Sequence, residues 1–168
     1  MKRVLIWMGV VLGLSWTVPS QASEEDPVAL AAMLVQDGHW DRARSVLDSM
    51  DPAESDVDHV RLYATHGLLA LYDHNATAAV GYFEQALTAR ADKPDSEPSA
   101  GILHLYLART HMMAEAPALA LTALDAAGDE ATSKVVGWRI RVQAHQALGE
   151  FGAAWTAAET GAAPFPNT

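Results

Sequence analysis

From about residue 27 to residue 163, apolar side chains return every three or four positions, the interval at which a helix brings residues back to one face. Tyr63 and Gly67 stand one turn apart, and Ala79, Phe83 and Ala86 follow at the same helical spacing. Punctuation falls between such stretches. Asn75 marks a turn, Pro117 suits a first helical turn, Gly128 and Gly161 suit C-terminal caps, and Asp51-Pro52 ends a helix. Alanine is abundant, and β-branched residues are scarce outside the opening segment. The pattern predicts an all-α chain whose helices lie close together.

Four segments share one layout: a helix opening on a large residue, a short turn, and a second helix with a small residue near its start. The second segment carries Tyr63, Gly67, Asn75, Ala79, Phe83 and Ala86, and the third places His104, Ala108, Ala120, Leu124 and Ala127 there. In the fourth the places fall to Trp138, Val142, Gly149, Phe151, Ala154 and Ala158; the first is shorter, with Gly38, Trp40, Ala43 and Leu47. The small residues set the register: Ala43 to Ala79 is 36 residues, Ala79 to Ala120 is 41, and Ala120 to Ala154 is 34. The excess in the middle step falls in Ala91 to Ser99, which reads as a polar linker. Gly67, Ala79, Ala108, Ala120 and Ala154 let paired helices approach, while Tyr63, Phe83, Leu124, Trp138 and Phe151 are expected to fill the space between neighbouring pairs. Each pair alone leaves an apolar face bare, so stability has to come from stacking.

A two-helix unit with a period near 34 has the tetratricopeptide spacing. Gln36-Asp37-Gly38-His39-Trp40-Asp41-Arg42-Ala43 and Ala147-Leu148-Gly149-Glu150-Phe151-Gly152-Ala153-Ala154 resemble that family's turn and second-helix start. Tyr82-Phe83-Glu84-Gln85-Ala86-Leu87 is similar to its second-helix end. The resemblance covers about residues 27–163 and implies an α-solenoid of about four antiparallel helix pairs, at about 27–52, 58–91, 99–128 and 133–163. Three departures stand out. Pro52 shortens the first pair, Glu115 replaces the expected turn glycine of the third, and Pro117 replaces its aromatic. Pro164 to Thr168 falls about where another helix would begin, so the last pair is expected either to continue in further chain or to be capped by a partner.

The N-terminus reads separately. Lys2 and Arg3 precede an apolar run from Val4 to Trp16, and Val18-Pro19-Ser20-Gln21-Ala22 gives a small-x-small exit. This is the pattern of a signal peptide over residues 1–22, with 23–168 the mature helical domain. The apolar run is shorter than the roughly 20 residues of a membrane span, and no cysteine follows it for lipid attachment. The expected location is periplasmic or secreted, without membrane insertion after cleavage. Loss of residues 1–22 leaves 9 basic against 21 acidic residues, a net charge of −12. Such a surface repels phosphate backbones and anionic bilayers, which argues against nucleic acid as a partner. The chain has no cysteine, so burial alone must hold it.

Candidate chemistry is sparse. His59 and His66 are seven apart, as are His104 and His111, roughly 10 Å along a helix and too far for one ion. His111 and His145 hold equivalent places in adjacent repeats, where a packing role is the plainer reading. No nucleophile elbow or glycine-rich phosphate loop occurs in the mature chain. The expectation is therefore a non-catalytic protein with no cofactor or metal. Its inner face, read from the register, would be lined by Arg61, Ala64, Leu68, Leu71 and Tyr72, then Leu105, Arg109, Met112 and Met113, then Arg139, Gln143 and Gln146. Three arginines beside apolar anchors suit a protein or peptide segment bearing carboxylates. The competing reading is that each arginine neutralises an acidic neighbour on its own surface. A structural alternative is end-to-end stacking in a larger envelope assembly, with possible self-association.

Overall fold

The computed structural model describes residues 26–50 and 57–162, so the leader-like segment and Pro164 to Thr168 lie outside the described residues. Helices make up most of what is described, and among these residues there is no strand. The chain is all-α. Its first pair is α1 (Pro27–Gln36) and α2 (Trp40–Asp48), and its second is α3 (His59–Tyr72) and α4 (Ala76–Asp92). The third is α5 (Ala100–Met113) and α6 (Pro117–Ala127). A single helical turn, α7 (Asp129–Thr132), precedes the fourth pair, α8 (Val135–Ala147) and α9 (Phe151–Ala162).

All four pairs turn in the same way, and the reason is visible in the backbone. Three residues separate the paired helices each time, and the middle one takes positive φ: Gly38 at 78°, His74 at 56°, Glu115 at 56° and Gly149 at 77°. The residue after it then donates its N–H back to a carbonyl near the helix end, as in His39 to Leu34 (2.7 Å), Asn75 to Ala70 (2.9 Å), Ala116 to His111 (2.9 Å) and Glu150 to His145 (2.8 Å). This is the left-handed C-terminal closure that glycine makes most easily. Glu115 therefore adopts the glycine conformation despite its Cβ, and His74 does the same. Asp26, Asp58, Asn75 and Ser99 cap the following helices with side-chain oxygens.

Packing within each pair rests on the small residues. Ala43, Ala79 and Ala120 are fully buried, and Ala154 nearly so. Gly67 leaves room for the fully buried ring of Phe83: a Cβ there would lie 2.5 Å from the ring edge. Gly161 is not a cap. It sits inside α9, where a Cβ would meet Trp138 at 2.6 Å. Between pairs, α1 packs on α3, α4 on α5 and α6 on α8. A small core joins the first pair to Leu62 and Leu69 of α3, and a larger one runs from α3 to α8. Phe151, expected as a filler between pairs, is instead 71% exposed, because no following helix covers it among the described residues.

The polar linker is folded rather than loose. Arg90, at the end of α4, points its guanidinium into residues 94–98 and donates to the carbonyls of Pro94, Ser96 and Pro98.

Candidate functional site

The first helices of three successive pairs border a cleft of about 270 Å³. Its floor is apolar: Ala32 from α1, Ala64 and Leu68 from α3, and Ile102 from α5. Polar groups ring it, namely Gln36, Arg61, Glu97 and Tyr106, with Pro98 beside Glu97 and the buried Thr65 behind them. The volume suits a side chain or two of a polypeptide better than a drug-sized ligand, whose pockets run from roughly 300 to 1,000 Å³.

Each rim group has a local reason for its place. Arg61 lies half-buried with its guanidinium 3.4 Å from Asp26 and 3.8 Å from Asp58. Asp26 also caps α1 through Val28 N–H (3.0 Å), so the start of the first helix and the arginine of the third are tied by one carboxylate. The Thr65 hydroxyl is buried and donates to the Arg61 carbonyl at 2.7 Å. The Tyr106 ring stacks on Phe83 at 5.4 Å, and burial raises the phenol's pKa, with Arg109 and Lys134 pulling the other way. Glu97 and Pro98 reach the cleft because the Arg90 clasp folds the linker back.

The inner-face residues read from the sequence are dispersed by this geometry. Arg61 and Leu68 line the cleft, as does Ala64. Leu71 and Leu105 are buried members of the large core, with little of their surface exposed. Met112 and Met113 are half-buried against that core. Tyr72 is half-exposed and stacks flat on Trp40, with centroids 4.5 Å apart. Arg109, Arg139, Gln143 and Gln146 are exposed outside the cleft. Of the three arginines, Arg61 neutralises neighbours on its own surface, while Arg109 and Arg139 form no ion pair among the described residues.

Several cleft residues escaped the sequence reading. Ala32 and Gln36 stand 36 residues before Leu68 and Tyr72, so the register step from Ala43 to Ala79, carried back to α1, would have found them. Ile102 follows likewise from Arg61 by the step of 41. Glu97 and Pro98 carried no such signal, because their position depends on the fold of the linker.

The histidines are occupied separately. His66 stacks on Tyr82 at 5.1 Å, His59 on Tyr63 at 5.9 Å, and His145 contacts Glu150 at 2.7 Å. Burial lowers the pKa of His66 and His111, with Asp48 and Glu84 respectively opposing the shift, and burial alone lowers that of His104. Among the described residues no three His, Asp or Glu side chains converge on one point. No helix among them is long and apolar enough to cross a membrane.

No protein-family model matches this chain, and no curated protein matches it.

Proposed function

We propose that this chain is an exported, tetratricopeptide-like scaffold that binds a segment of another protein in the cleft between α1, α3 and α5. One observation carries the reading. Three helices from three different pairs converge on an apolar floor ringed by a cation, a carboxylate, an amide and a phenol. Such a surface recognises an extended segment by one apolar side chain seated on Leu68 and Ile102 and by main-chain hydrogen bonds to Gln36 and Tyr106. Arg61 and Glu97 on the rim then favour a segment carrying both signs of charge, and Arg61 would exchange part of its pairing with Asp26 for a carboxylate of the partner. The role is binding, without chemistry. The secretory pattern of residues 1–22 supports a partner in the periplasm or outside the cell.

The test is affinity capture from an envelope extract by the wild type and by an Ala32→Trp variant, whose indole fills the cleft. The expected outcome is a partner retained by the wild type and lost by the variant, with circular dichroism unchanged. A partner held equally by both would overturn the assignment of the cleft.

A further inference from the structure

The first and last pairs each leave large apolar side chains exposed. On α9, Phe151 is 71% exposed and Trp155 68%, one turn apart on one face. Trp155 stands 34 residues after Leu121 and 75 after Val80, the register of the small residues. Val80 and Leu121 are half-buried against the large core, on helices that the next pair covers. The same position in the last pair therefore holds the largest apolar side chain of the three and is bare.

At the other end, Met33 is 58% exposed on α1. It lies ten residues before Ala43, as Leu69, Thr110 and Ala144 lie ten before Ala79, Ala120 and Ala154. Those three counterparts are 5%, 0% and 0% exposed. Beside Met33, a shallow cleft of about 340 Å³ opens on Leu30, Leu34 and Val46, with Asp41, Arg42 and Ser45 at its edge. Arg42 at that cleft and Glu159, one turn beyond Trp155, are oppositely charged and neither is in an ion pair among the described residues.

From these paired features we infer that the occupant of the α9 face is a second copy of this chain, seated by its α1. Phe151 and Trp155 of one copy cover Leu30 and Met33 of the next, with Glu159 opposite Arg42. The contact joins two different surfaces, so a pair of copies leaves one of each free and further copies add head to tail. The acidic net charge opposes such growth, and salt, which screens charges beyond about 8 Å at physiological strength, favours it.

Sedimentation velocity over a concentration series tests this. The wild type is expected to gain mass with concentration past the dimer, and more so at higher salt. Trp155→Glu and Met33→Glu, each blocking one end, are expected to remain monomers alone and to form a dimer and nothing larger when mixed. Arg42→Glu should weaken association, and Glu159→Arg in the same chain should restore it, which keeps the proposal testable should Met33→Glu fold poorly. A wild type monomeric at every concentration overturns the proposal. So does a Met33→Glu variant that pairs with itself through α9, or a mixture that stays monomeric. The cleft variant Ala32→Trp should assemble like the wild type, so failure of either proposal is read apart from the other.

Discussion

Phe83 of the second pair lies under Tyr106 and is fully buried, while Ala158, its counterpart in the last pair, lies exposed beside the bare ring of Trp155. The two pairs share turn geometry, spacing and small-residue contacts, yet one is core and the other half surface. What differs is the neighbour. A pair supplies its own close approach through residues such as Gly67 and Ala79, but the burial of its outward face comes from the helix that follows. Local sequence thus sets the hairpin, and stacking sets the core.

The contrast can be broken most strongly at the buried ring. Phe83→Ala should cost about 3–5 kcal/mol in chemical denaturation, whereas Trp155→Ala should stay within about 0.5 kcal/mol in dilute protein. Equal losses would mean that the last pair is covered as fully as the second. Next in size is Gly67→Ala, which pushes a Cβ into the Phe83 ring and should cost about 1–3 kcal/mol. Gly81→Ala, on the same pair but facing open space, should instead gain roughly 0.5–1 kcal/mol from helix propensity.

The turns sharpen the comparison at smaller scale. His74→Gly should stabilise by about 0.5–1 kcal/mol, since a left-handed residue with a Cβ costs roughly 1–2 kcal/mol and glycine's extra freedom offsets part of the gain. Gly149→Ala at the equivalent turn should destabilise by a similar amount, measured by thermal melts. The smallest effect concerns pH. The folded-state pKa values of His66, His104 and His111 lie below the unfolded value of about 6.5. As pH falls below that value the unfolded chain takes up protons first, so stability declines until the lowered folded values are passed. Replacing the three by glutamine should flatten the melting temperature between pH 7.5 and 5.5, and an unchanged slope would remove burial as the cause.

Much of the fold was legible because its determinants are local and repeated. The alanines that set the register are also the residues where paired helices touch. The site was less legible. A register assigns faces on one helix, and it put Leu71 and Leu105 on the inner face without knowing that neighbouring pairs close over them. It gave no hint of α7 either, where Gly128 begins a further helical turn instead of a loop. The contribution of Glu97 and Pro98 hangs on Arg90, whose partners are carbonyls and leave no trace in side-chain pattern.

That guanidinium has a consequence for how the chain tolerates change. The step of 41 residues between the second and third pairs exceeds the final step by seven, and Arg90 gathers the surplus against the end of α4. The detour is consumed where it arises, so α5 still meets α4 and the pairs beyond keep their phase. Loop length and helix spacing are thereby uncoupled at this junction, and residues gained or lost there are expected to leave what lies downstream in place.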